Sequence, residues 1–132
     1  MNEMSFHHAA ISVPNLDEAI DWYRQILGYE VEKSFNVPPV PARAAMIRRG
    51  NMRVEIFEVR DGEPLPAARR EPIQDLKTHG NKHVAYVVPD FEDALEQMRD
   101  KGVEVVFVVR QEVGSGFFVR DPAGNLIEFV DR

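Results

Sequence analysis

The sequence predicts an α+β fold of two β-α-β-β-β modules, whose strands form a mixed sheet curling around a cleft with the helices on its outer side. Three observations carry this prediction. The segment His83 to Asp90, HVAYVVPD, nearly copies His8 to Asn15, HAAISVPN, 75 positions earlier. The match continues beyond each copy, where Leu16, Ala19, Ile20 and Tyr23 stand opposite Phe91, Ala94, Leu95 and Met98. The same order of strand and turn signals then follows twice. A period of 75 in 132 residues means two modules, not a many-repeat solenoid.

In the second copy His83, Ala85 and Val87 share one face of a period-2 strand, and Val84, Tyr86 and Val88 the other. Pro89 ends the strand, and Asp90, like Asn15 in the first copy, suits the N-cap of a helix. Both helices carry apolar residues at spacings of three and four and close at a glycine, Gly28 and Gly102. The apolar face of each first strand therefore meets its helix, and His8 and His83 point the other way.

In the first module Tyr29 to Asn36 alternates as a strand, and the prolines of Val37 to Pro41 break it. Ala42 to Arg49 and Met52 to Val59 form a hairpin through Gly50-Asn51. Residues 60–81 are polar and proline-bearing and read as a linker, with a helical turn around Glu71 to Lys77. The second module has strands at Lys82 to Val88, Val103 to Val109, Gly116 to Arg120 and Leu126 to Val130, with a helix at Phe91 to Lys101. The turn Asp121-Pro122-Ala123-Gly124-Asn125 joins the last two strands. Residues 1–132 are thus one domain built from modules at 6–59 and 82–130.

Hydrophobic residues make up 44%, enough for a real core, and no cysteine is present to staple it. No apolar run approaches the roughly 18 residues of a membrane span. The start, MNEMSFHHAA, lacks the basic and apolar parts of a signal peptide, so a cytoplasmic location is expected. A net charge of −6 with scattered basic residues argues against a nucleic-acid partner.

The last strand of each module decides what stands beside its histidine. Val54 and Ile56 suit the packed face, which sends Glu55 to the opposite side with Arg53 and Phe57. Ile127 and Phe129 likewise send Glu128 away from the helix. Two imidazoles and two carboxylates are costly to bury unpaired, and one divalent cation is the simplest compensation. With two waters they would complete an octahedron, and nitrogen and oxygen donors without thiolate suit Ni, Co, Mn, Fe or Zn. Such an ion would hold the charge of an enediolate as a Lewis acid, while Glu55 or Glu128 moves a proton.

A lone histidine on a strand is more often a hydrogen-bonded or exposed side chain, and repetition in register is what raises His8 and His83. Glu58 lies close enough to Glu55 that either glutamate fits a solvated strand position. His7 and His79 are taken as structural or exposed, Trp22, Tyr23 and Met98 as packing, and Asp90 as a cap. Arg43 and Arg49 are candidate anchors for a substrate carboxylate, with solvated side chains the competing reading.

From Phe6 to Val130 the chain resembles the vicinal oxygen chelate superfamily, which includes glyoxalase I, methylmalonyl-CoA epimerase, extradiol dioxygenases, and fosfomycin- and bleomycin-resistance proteins. The resemblance rests on His8 with Val13-Pro14-Asn15-Leu16, Trp22-Tyr23, Leu27-Gly28, His83 with Val88-Pro89-Asp90, and Asp121 to Asn125 with Glu128. It implies paired modules, a metal in the cleft held by His8, Glu55, His83 and Glu128, a small-molecule substrate, and a homodimer whose sites can share ligands between chains.

The leading expectation is a metal-dependent isomerase, epimerase or lyase of the glyoxalase I type. The positions where glyoxalase I places a glutathione-binding arginine and asparagine correspond here to Lys33 and Val59, and the linker through Pro72, Leu76 and Gly80 is closer to epimerase-like members. One alternative is an extradiol dioxygenase, with Fe(II) on His8, His83 and Glu128 and with Glu55 crowding the site. The other is a metal-free binder of an antibiotic or another small molecule, against which the four ligand-type residues argue.

Overall fold

The computed structural model describes residues 1–39 and 42–131. The chain divides into two compact units, Met1–Glu63 and Pro64–Arg132. The first contains β1 (Ala9–Val13), α1 (Leu16–Leu27), β2 (Glu30–Val37), β3 (Ala42–Arg49) and β4 (Met52–Glu58). The second opens with a 3-10 turn, Ala67–Arg70, and continues with α2 (Pro72–Asp75), β5 (Val84–Val87), α3 (Phe91–Asp100), β6 (Val105–Val109), β7 (Gly116–Arg120) and β8 (Leu126–Val130). Of the break expected over Val37 to Pro41, Val37 closes β2, while Val40 and Pro41 lie outside the described residues.

Each unit builds a four-stranded mixed sheet, ordered β1-β4-β3-β2 in the first and β5-β8-β7-β6 in the second. The outer pairs β1/β4 and β5/β8 run parallel, and the remaining pairs are antiparallel. Parallel neighbours require a crossover, and the helix of each module belongs to it. The α+β class and the repeated element order agree with the expectation from sequence.

The first strand of each module is shorter than expected at its start. The ladders begin at Ala9↔Val54 and Val84↔Ile127, which leaves His8 and His83 on the residue just before the strand. The strand expected from Val103 starts at Val105, because Val103 donates its N–H to Met98 O at the end of α3.

The helix ends are set by local chemistry. Asn15 accepts from the Glu18 N–H at 3.0 Å and Asp90 from the Asp93 N–H at 2.9 Å, which satisfies amides that the first helical turn leaves free. Gly28, at φ 72°, takes the left-handed turn that stops α1, with its N–H directed to Arg24 O and Tyr23 O. From α1, Leu16, Ala19, Tyr23 and Leu27 are buried on the side of Ala45, Ile47, Val54 and Ile56. From α3, Phe91, Leu95 and Met98 are buried with Phe117, Val119, Ile127 and Phe129. Phe117 stacks on Phe129 at 5.0 Å, and Phe91 meets Phe117 edge-on at 5.6 Å. Each large side chain removed from water in this way contributes roughly 1.5–3 kcal/mol. Among the described residues no helix is long and apolar enough to cross a membrane.

Candidate functional site

Burial along β4 settles which way its glutamates face. Val54, Ile56 and Glu58 are buried on the helix side, while Arg53, Glu55 and Phe57 are half-buried on the other. Ala10 pairs with Glu55 across the parallel ladder, and His8 shares the parity of Ala10. His8 Nε2 consequently lies 3.5 Å from Glu55 Oε1. The other ring nitrogen of His8, Nδ1, stands 2.7 Å from Nδ1 of His7, with the rings edge-on at 5.0 Å. His7, expected to be structural or exposed, is exposed and touches the candidate ligand.

Arg53 shares the face of Glu55 two residues away, yet its guanidinium is tied elsewhere. It donates to both oxygens of Glu32, at 2.9 and 3.2 Å, and Arg48 lies 3.7 Å from the same carboxylate. The Arg53 hydrogen bond, above all other causes, holds Glu32 below the usual glutamate range. With Arg53 occupied, the Glu55 carboxylate faces an imidazole.

In the second unit Ala85 pairs with Glu128, and Phe118 faces Glu128 from the other side. His83 Nε2 lies 2.9 Å from Glu128 Oε2, a hydrogen-bond distance. The ring of Phe118 meets the His83 ring edge-on at 4.9 Å, and Phe107 meets Phe118 at 6.1 Å. This pair sits on an aromatic floor, whereas the first pair sits among charges.

Glu58 is only 6% exposed, which removes the reading of a solvated strand residue. It shares the helix-side parity of Val54 and Ile56, and its carboxylate accepts from the Leu16 N–H at 2.9 Å and from Arg43 and Arg60. Arg43 and Arg49 do not serve the face of Glu55. Both share the parity of Ala45 and Ile47 on the helix side, where Arg43 pairs with Glu58 and Asp17, and Arg49 Nη1 donates to Leu27 O at 2.8 Å. Lys33 lies over the Phe35 ring, Val59 donates its N–H to Val13 O, and His79 is exposed.

Sequence reasoning missed Asp75. This residue is 1% exposed within the polar segment read as a linker, and Oδ1 accepts from Arg69 at 2.9 Å and Lys82 at 3.1 Å. The Lys82 ammonium also donates to the carbonyls of Asp75 and Thr78, so the side chain preceding His83 is tied to the end of α2 and the turn after it. Burial pushes the Asp75 carboxyl up, but the Arg69 and Lys82 hydrogen bonds outweigh it and the net displacement is downward.

Among the described residues no group of three or more histidines, cysteines or carboxylates is gathered tightly enough to hold a metal by itself; each unit presents a pair. Each pair nevertheless has the spacing of two adjacent ligands in an octahedral sphere. Two donors about 2.1 Å from one ion, at the right angle of an octahedron, stand about 3.0 Å apart. The observed 2.9 and 3.5 Å lie near that separation, and the imidazole and carboxylate donors suit a borderline divalent ion.

The description of the glyoxalase/bleomycin resistance protein/dioxygenase superfamily matches residues 5–129. The chain belongs to this superfamily. Human mitochondrial methylmalonyl-CoA epimerase is 27% identical to it over 101 residues, covering 74% of the chain and 53% of the epimerase. Biphenyl-2,3-diol 1,2-dioxygenase 3 of Rhodococcus globerulus is 28% identical over 125 residues, covering 92% of the chain and 60% of the dioxygenase. The chain thus spans little more than half the length of these superfamily members. The crystal structure of a glyoxalase family protein from Enterococcus faecalis superposes with a TM-score of 0.81 at 22% identity, covering 98% and 99% of the two chains, which shows the superfamily fold.

Proposed function

We propose that this superfamily member is a metal-dependent isomerase, epimerase or lyase of the glyoxalase I type, acting on a small molecule with an acidic C–H on the carbon α to a carbonyl group. The observation that carries the reading is the doubled pair: His8 with Glu55 and His83 with Glu128, at equivalent register positions on the face away from each helix. These four residues would hold one divalent ion, drawn from Ni, Co, Zn, Mn and Fe. When bound, the ion would supply Lewis acidity toward a substrate carbonyl oxygen, which makes a proton on the carbon α to that carbonyl easier to remove.

The chain's own residues do the rest. Glu55 or Glu128 takes that proton and returns it, a role that requires a carboxylate within hydrogen-bond reach of the carbon. Phe118, with Phe107 behind it, holds the His83 ring edge-on, and Glu32 keeps Arg53 from neutralising Glu55. An epimerase among the relatives supports removal and return of a proton at carbon as the reaction class.

The test combines His83→Ala, Glu128→Ala, Glu55→Gln and Glu128→Gln. The metal-loaded wild-type protein should exchange one substrate C–H for deuterium from solvent. Both alanine variants should lose the ion, and one of the two glutamine variants should keep the ion and lose exchange. Retention of the metal by the His83 or Glu128 alanine variant would sink the proposal.

A second reading has a specific support, since the match to the dioxygenase covers 92% of this chain. In that reading His8, His83 and Glu128 hold Fe(II) and the substrate is a catechol. Anaerobic loading with Fe(II), followed by a catechol panel and oxygen, tests it, and absence of a yellow ring-cleavage product across the panel counts against it.

A further inference from the structure

We propose that Gly116 is a positioning residue for the His83–Glu128 pair, and the inference rests on the metal reading given above. Gly116 lies in β7 opposite Val130, on the same face of the sheet as Phe118, Glu128 and His83. A Cβ built on Gly116 would stand 3.0 Å from Glu128 Oε1, tighter than nine in ten side-chain contacts, so the carboxylate would have to give way by a few tenths of an ångström. Glu128 Oε1 thus rests against the space that a side chain at Gly116 would fill. With Oε1 resting over Gly116, Oε2 reaches His83 Nε2 at 2.9 Å. Phe118, two residues along the same strand, meets the His83 ring edge-on at 4.9 Å, so β7 constrains both members of the pair.

The first module supplies an internal comparison. Ala44 pairs with Phe57 as Gly116 pairs with Val130, and Phe57 lies two residues after Glu55 as Val130 lies two after Glu128. Where the small residue carries a Cβ, the histidine and glutamate stand 3.5 Å apart; where it does not, they stand 2.9 Å apart. Groups that orient first-contact ligands characteristically change metal affinity by about 10–100-fold when altered.

The experiment measures Ni(II) binding by calorimetry, and apo-protein melting, for wild type, Gly116→Ala, Glu128→Asp and the double variant. The Gly116→Ala change should weaken Ni(II) binding about 10-fold or more. Aspartate draws the carboxylate back by one methylene, so in its presence the same alanine should cost less than about 3-fold, the non-additivity expected of groups in contact. The added Cβ would also lie 3.4 Å from Phe129 O and from Val130 Cγ1. If crowding there were the cause, the alanine would cost the same with aspartate as with glutamate, and the inference would be overturned. Wild-type affinity in Gly116→Ala would overturn it too while leaving the metal reading intact. Should Gly116→Ala fail to fold, the double variant decides: folded with the Ni(II) affinity of Glu128→Asp supports the proposal, and unfolded contradicts it. Absence of Ni(II) binding by the wild type would instead remove the metal reading and this inference with it.

Discussion

The backbone N–H of Leu16 donates to Glu58 Oε2 at 2.9 Å, across 42 residues of sequence. This one bond caps the start of α1 with a carboxylate from β4, on the same side of that strand as Val54 and Ile56. Because Glu58 belongs to the helix side, Glu55, three residues earlier, belongs to the other side and meets His8. The hydrogen bond from Leu16, followed by those from Arg43 and Arg60, holds the Glu58 carboxyl below the ordinary 4.5 against the opposing effect of burial.

Glu58→Gln should therefore lower stability by about 1.5–3 kcal/mol, the range for hydrogen bonds to a charged group. A carboxyl whose folded pKa is depressed contributes stability that is full above its unfolded value and is lost as pH falls through the folded one. The contribution from Glu58 should accordingly fade below about pH 4.5. Urea denaturation from pH 7 to pH 3 checks this: the difference between wild type and variant should shrink toward the acid end, and a constant difference would contradict the assignment.

Asp75→Ala should destabilise the second unit by about 2 kcal/mol. That is less than the roughly 3–5 kcal/mol of a fully buried broken pair, because Arg69 and Lys82 stay partly solvated. Asp75 is also held below its ordinary value of 3.8, so its contribution too should be lost as pH falls below that range. Amide exchange over residues 67–83 reports the effect locally; unchanged protection there would show that the segment is held by something else.

Arg49→Met tests the reassignment of an arginine from substrate to scaffold. Removing its hydrogen bond to Leu27 O at the end of α1 should cost about 1 kcal/mol and leave metal affinity unchanged. A variant with wild-type melting and a large rise in KM would reverse that assignment.

The repeated architecture was legible because its signals are local. Asn15 and Asp90 cap, Gly28 stops α1, and apolar residues recur with the helical period. The outward phase of Glu55 and Glu128 was legible for the same reason, since strand parity leaves one choice once Val54 and Ile127 are placed inside. The same parity puts Glu58 with Ile56, and Arg43 and Arg49 with Ile47; a charged side chain on a packed face was the signal that these groups bind the scaffold. Asp75 had no such signal, because a buried ion pair inside a polar segment interrupts no pattern. Gly116 required the fold itself, since the space that it leaves is defined by a carboxylate on the neighbouring strand.

The central claim is that the two histidine–glutamate pairs bind a divalent ion, and metal content per chain of untagged, natively purified protein tests it most directly. The account predicts about one tightly held ion per chain, as expected when four protein ligands share one centre. Chelation should remove it with a fall in melting temperature, and one metal should restore that temperature better than the others, because an ion that binds only the folded chain stabilises it. No ion as purified, and no thermal shift with Ni, Co, Mn, Fe or Zn, would contradict the account.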